Sequence, residues 1–191
     1  MSELDAWLQA VVATPGLTAL DLPEAQAMLV DDALRAVAVV ARYEGPIVDV
    51  GSGNGSPGIP IALELPTRPV VLLEAEAKRC VFLERWAPLN ARVVNGRAEE
   101  QETDWAGVAL AKALAPPPVA AEWCLPLVRP GGAAVLWVGK SADLEALGRT
   151  ASRLAAEPVE SLPGLAVLEK RGPTPTGFPR RPGIARKRPL S

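Results

Sequence analysis

The stretch IVDVGSGNGSPGIP, Ile47 to Pro60, restricts the possible folds more than any other part of this 191-residue chain. An apolar run broken by one acid is followed at once by four glycines in eight residues, Gly51, Gly53, Gly55 and Gly58. A strand that turns through such a loop into a helix brings bare backbone against a ligand. Strand-like and helical stretches then alternate downstream. Apolar or β-branched runs at 47–50, 70–73, 92–95, 108–110 and 133–138 are separated by helical patterns at 57–65, 78–89, 117–128 and 142–156. The alternation predicts an α/β fold, Rossmann-like, with a mostly parallel twisted sheet, helices on both faces and a ligand at the carboxyl ends of the strands. Helices are also expected at 3–13 and 23–42, the second because Leu29, Leu34, Val37, Val40 and Ala41 recur at helical spacing.

The chain length fits one domain, 1–191, in three parts: an amino-terminal helical segment (1–44), an α/β core (45–169) and a carboxyl-terminal tail (170–191). After a last apolar run at 165–168 the tail reads KRGPTPTGFPRRPGIARKRPLS, whose five prolines forbid a continuous helix. Charge is unevenly divided. Residues 1–168 hold 13 basic and 21 acidic side chains, and 169–191 hold seven basic and one acidic, so an acidic body carries a basic tail suited to an anionic partner. No apolar run approaches a membrane span, and the opening MSELDAWLQAVV carries acids where a secretory leader needs Lys or Arg, so a cytoplasmic location is expected. Cys80 and Cys124 are far apart and the chain has no histidine, which supports neither a zinc site nor a disulfide framework. Each cysteine is expected to be a small buried apolar residue.

Gly53, Gly55 and Gly58 formally satisfy the dinucleotide fingerprint, but two features oppose a pyrophosphate. Asp49 would repel it, and Pro57 removes a backbone donor. S-adenosylmethionine reverses both objections, having no phosphate and carrying an ammonium and a sulfonium that Asp49 attracts. Gly51, Gly53 and Gly55 then let the backbone approach its methionine portion. Glu74 ends the next run, VVLLE, where an acid accepts hydrogen bonds from both ribose hydroxyls of a nucleoside. In NGRAEE, the Ala98 N–H and the Glu99 side chain stand where an adenine edge would be read. Together these positions favour a class I S-adenosylmethionine-dependent methyltransferase fold over a dehydrogenase.

VDVGSGNGSPGIPIAL, EAEAKRCVFLERW, NGRAEE, LVRPGGAAVLWVGK and LEKRGPTPTGFPRRPGIARKRPL together resemble the RsmG/GidB family of bacterial 16S ribosomal RNA guanine-N7 methyltransferases. The likeness runs from about residue 30 to the end. It implies methyl transfer from S-adenosylmethionine to N7 of one guanine in 16S rRNA or a small-subunit precursor. It also places Gly51, Ser56, Ala98, Glu99 and Lys112 at cofactor positions. Lys112 departs from the pattern, since the family has Arg in an SRA segment where this chain reads AKA, and an ammonium lacks the planar fork of a guanidinium. The family's amino-terminal Asn-Leu-Thr and histidine, and the Arg-His pair before its last strand, have no counterpart. A small-molecule methyltransferase and a noncatalytic RNA-binding relative remain as alternatives.

Guanine N7 has a lone pair and no proton, so the reaction needs no base and no catalytic acid or base is assigned. Lys78, Arg79, Lys140, Arg180, Arg181, Arg186, Lys187 and Arg188 are the candidate phosphate contacts. Phe178 either stacks on a base or plugs the tail against the body. No metal is expected, and the chain is expected to act as a monomer.

Overall fold

The computed structural model describes residues 1–159 and 162–190, leaving Glu160, Ser161 and Ser191 aside. Helix α1 (Glu3–Ala13) starts in a capping box. The Ser2 hydroxyl accepts from the Asp5 N–H at 3.1 Å and the Asp5 carboxylate accepts from the Ser2 N–H at 3.0 Å. The second long helix expected from the sequence is present with an irregular ladder: α2 (Leu22–Ala25), a π-helical turn (Gln26–Asp31) and α3 (Asp32–Leu34) run on without interruption, and α4 (Val37–Val40) follows after Arg35 and Ala36, whose backbone stays right-handed helical. The reason is tertiary. Carbonyls of this segment accept from the core: Met28 O from Lys112 Nζ, Leu29 O from Ser56 Oγ at 2.7 Å, and Asp32 O from Trp137 Nε1 at 3.2 Å. A widened turn frees such carbonyls from the regular ladder.

The core then alternates as expected: β1 (Ile47–Val50), α5 (Gly58–Glu64), β2 (Val70–Glu74), α6 (Ala77–Trp86), β3 (Ala91–Asn95), β4 (Ala106–Ala111), α7 (Pro117–Cys124), β5 (Val128–Trp137) and α8 (Leu144–Arg153). Two further strands close the sheet, β6 (Ala156–Val159) and β7 (Leu165–Lys170), before a short α9 (Ile184–Lys187) in the tail. The strand order is β3-β2-β1-β4-β5-β7-β6. Neighbours from β3 to β5 pair in parallel, whereas β7 runs antiparallel to both β5 and β6. Strand β6 was illegible in the sequence because Pro158 lies in its middle. At the sheet edge the missing N–H costs no ladder bond, and Pro158 pairs with Leu168 on one side only.

Parallel strands covered on both faces are apolar throughout, and β1, β2 and β4 are buried at every position. One face packs against α1, the helical segment from α2 to α4, α5 and α6, with Trp7, Ile59, Ile61 and Leu83 fully buried. The other packs against α7 and α8, through Val119, Leu125, Leu147 and Ala151. Between β3 and β4 there is only a single 3-10 turn (Ala98–Glu100), so the β3 end of this second face lacks a helix. The tail crosses this same second face, where Phe178, Ala185 and Leu190 join its apolar cluster. Cys80 and Cys124 are both buried and free.

Candidate functional site

The turn from β1 into α5 is shaped by what its glycines must avoid. Gly51 has φ +72°, and a Cβ there would lie 2.3 Å from the Leu114 Cδ1. At Gly58 a Cβ would lie 2.5 Å from Leu72 and 2.6 Å from the Asp49 Oδ2, so this glycine lets α5 close onto the sheet. Asp49 is buried beneath the loop. Its Oδ2 accepts from the Gly58 N–H at 3.1 Å, while Oδ1 has no partner. Burial pushes its carboxyl up to about 7, against the opposing pull of the nearby Ser52 hydroxyl, which donates to the Asp49 carbonyl at 2.9 Å, and of the Gly58 hydrogen bond.

A cavity of about 300 Å³ opens at the carboxyl ends of β1 and β2, between the glycine turn and the loop after β3. Gly51, Glu74, Ala98 and Glu99, four of the positions picked from the sequence, share its wall. Glu74 is held rigidly: its Oε2 accepts from the Gly53 N–H at 2.9 Å and its Oε1 from the Glu76 N–H at 2.8 Å. Each oxygen keeps a further lone pair for a ligand hydroxyl. Glu99 turns one oxygen to the tail, where Oε1 accepts from the Gly183 N–H at 3.2 Å.

The remaining loop positions face the other way. Gly55 meets α1, where Trp7 donates its indole N–H to the Asn54 carbonyl at 3.0 Å. The Ser56 hydroxyl donates to Leu29 O, and Lys112 reaches Met28 O and, at 3.4 Å, the Asp32 carboxylate. Burial lowers the Lys112 pKa, with Asp32 opposing the shift. Thus Asp49, Gly53, Gly55, Ser56 and Lys112 lie outside the cavity wall, Gly53 acting through its N–H on Glu74, and Ser56 and Lys112 clamp the amino-terminal helices onto the core.

The basic residues divide similarly. Arg79 lines the cavity and pairs with Glu76 at 2.9 Å. Arg180 is committed to Glu122, a side chain only 3% exposed, through two bonds of 2.5 Å from Nε and Nη2. Arg186 lies over the Trp123 ring, 5.1 Å from its centroid, and also lines the cavity. Lys78, Lys140, Arg181, Lys187 and Arg188 are exposed. Phe178 is half-buried against the apolar cluster of the second face.

Among the wall residues that sequence reasoning did not assign to the cofactor are Leu114, Trp123, Gly183 and Arg186. Trp123 carried a weak signal, being one of only eight aromatic residues in the chain. Nothing local distinguishes Arg186 from its basic neighbours, because its place depends on a contact across 63 residues of sequence, from Trp123 to Arg186.

A seven-stranded sheet of this order, with β7 reversed and a glycine turn after β1, defines the class I methyltransferase fold. Solved structures agree on the fold. An antibiotic-resistance methyltransferase Kmr superposes with a TM-score of 0.55 at 18% identity, covering 73% of this chain and 93% of that one. A T. thermophilus 16S rRNA N2 G1207 methyltransferase, solved with AdoMet and guanosine, gives 0.54 at 19%, covering 75% and 39%. Closer in sequence is the ribosomal RNA small subunit methyltransferase G of Rubrobacter xylanophilus. It is 39% identical over 173 aligned positions, covering 78% of this chain and 66% of that protein. Its counterpart in Synechococcus elongatus is 36% identical over 172 positions, covering 78% and 70%. The chain thus spans about two thirds of the length of these curated relatives. The family model GidB, rRNA small subunit methyltransferase G, matches residues 4–165, and the chain belongs to that family.

Proposed function

We propose that this chain transfers a methyl group from S-adenosylmethionine to N7 of a guanine in 16S rRNA. The observation that carries the reading is the convergence of Gly51, Glu74, Ala98 and Glu99 on one cavity in a member of this family. The residues fit the cofactor chemically. The turn at Gly51 is bare backbone, Glu74 retains acceptors for ribose hydroxyls, and the only buried carboxylate oxygen without a partner among the described residues belongs to Asp49, directly beneath the turn. When bound, S-adenosylmethionine supplies an electrophilic methyl on a sulfonium.

In this reading Gly51 admits the methionine portion, Glu74 accepts from the ribose and Ala98 with Glu99 borders the adenine. Ser56 and Lys112 act at one remove, fixing the amino-terminal helices against the turn. Asp49 contributes a buried carboxyl that gains from a nearby positive charge. No side chain needs to remove a proton, since N7 has none, and the chain's work is to place N7 in line with the methyl. Lys78, Lys140, Arg181, Lys187 and Arg188 are free to contact phosphates, giving affinity without sequence choice. The same proposal has the chain act as a monomer in the cytoplasm, where ribosomal RNA is made. No helix among the described residues is long and apolar enough to cross a membrane.

Mass spectrometry of 16S rRNA from cells with and without the gene tests the reading. One N7-methylguanosine is expected to disappear with the gene and return when purified chain and S-adenosylmethionine are added to small-subunit particles. Unchanged nucleosides, or transfer only to small molecules, would overturn it.

A further inference from the structure

The cavity is not completed by the sheet. Its open side is occupied by Gly183 and Arg186 of the tail, a segment the sequence marks out only as basic and proline-rich. Three anchors hold it there. Lys170, fully buried at the end of β7, donates to Leu125 O at 2.7 Å and to the Thr174 Oγ1 at 2.9 Å, and the Asp104 carboxylate accepts from the Thr174 N–H and hydroxyl. Arg180 forks onto the buried Glu122 and also donates to Arg188 O at 2.8 Å. Gly183, with φ +81°, turns its N–H to Glu99.

These anchors set Arg186 against Trp123, with a long contact of 3.5 Å from Nη2 to Leu114 O. Arg186 therefore bridges two wall residues, Leu114 beside Gly51 and Trp123. Its own bonds leave most guanidinium donors unused, on the wall shared with Glu74 and Glu99. A planar cation resting on an indole is a rigid, aromatic-backed surface suited to a flat heteroaromatic ring.

Building on the reading above, we propose that the carboxyl-terminal tail is a wall of the cofactor site, and that Arg186 is a binding residue for the adenosine portion of S-adenosylmethionine. The tail then has two jobs on one short segment: Arg186 faces the nucleoside, while Arg181, Lys187 and Arg188 stay exposed for an anionic partner.

Calorimetric titration of the full chain with S-adenosylmethionine and with S-adenosylhomocysteine, without RNA, tests this. Arg186→Ala is expected to weaken both ligands about tenfold, a loss of the size given by one stacked, charge-assisted contact. Arg186→Lys should recover only part, lacking the plane. Arg149→Ala, which removes an exposed arginine paired with Glu145 on α8, controls for net charge and should bind as the wild type does. Binding within twofold of wild type in Arg186→Ala, or an equal loss in Arg149→Ala, overturns the proposal while leaving the methyltransferase reading intact. A wild-type chain that binds neither ligand overturns both. The Arg186 side chain is exposed, so its removal leaves the fold's core untouched.

Discussion

The two ends of the chain pack on opposite faces of the sheet, the tail at the cavity and the amino-terminal helices behind the glycine turn, and are held by different forces. The amino-terminal helices dock under the outer half of the glycine turn by burial: Trp7 and Val11 are fully covered and Leu8 is 3% exposed. Their polar links are chiefly to backbone carbonyls, as in Trp7 to Asn54 O and Ser56 to Leu29 O. The tail, by contrast, is held by charge. Arg180 meets Glu122, and Lys170 meets Asp104 and Thr174, with a thin apolar contribution from Phe178 and Ala185. Burial scales with area and ignores salt, whereas ion pairs depend on geometry and on the loss of water around each partner. The lesson is that the same site is supported by one rigid end and one conditional end.

The sharpest way to break that contrast is to attack each anchor. Trp7→Ala is expected to destabilise the whole fold by about 3–5 kcal/mol, the usual cost of deleting a buried aromatic. Urea unfolding measured by circular dichroism should show the loss as one cooperative shift, and a shift under 1 kcal/mol would mean that burial does not dominate here. Arg180→Ala should cost less, about 2–3 kcal/mol, because Glu122 is left buried without its partner while the arginine itself was partly exposed. Its distinctive effect should be local: trypsin ought to cut the tail of the variant at rates well above those of the wild type, with α1 still protected. Equal protection in both would place the tail's anchorage elsewhere.

A pH-dependent effect concerns the glycine turn between the two ends. Asp49 has a folded-state pKa raised from the usual carboxylate value to about 7 by burial, so the folded state binds the extra proton. The sign follows from linkage: stability of the cofactor-free chain falls as pH rises through the window from about 4 to 7, and levels off above it. Asp49→Asn, which cannot ionise, should flatten that slope in melting experiments between pH 5 and pH 8. A slope unchanged by the substitution would show that Asp49 is ionised throughout.

Much of the core was legible because its signals are local. The strands at 47–50 and 70–73, the turn at Gly51 and the acid at Glu74 each follow from a few adjacent residues, and the structure adds only Glu74 to the second strand. The helix expected at 23–42 is present, but its π-helical turn at Gln26–Asp31 was not legible, for the opposite reason. Its apolar spacing is regular, and only Lys112, Ser56 and Trp137, far along the chain, draw its carbonyls outward. Sequence likeness put Ser56 and Lys112 at cofactor positions, while their hydrogen bonds in this structure run to the amino-terminal helices.

By itself the sequence determined the alternation of strands and helices from β1 to β5, the glycine turn and the acids at the strand ends, since backbone preference and apolar period act over a few residues. Only the tertiary structure decided that the tail closes the cavity, that Arg180 is an anchor while Arg186 is a wall, and that β6 is an edge strand. The physical reason is distance along the chain. Glu99 and Gly183 meet across 84 positions, Glu122 and Arg180 across 58, and no local preference encodes which of several similar arginines will find the buried acid.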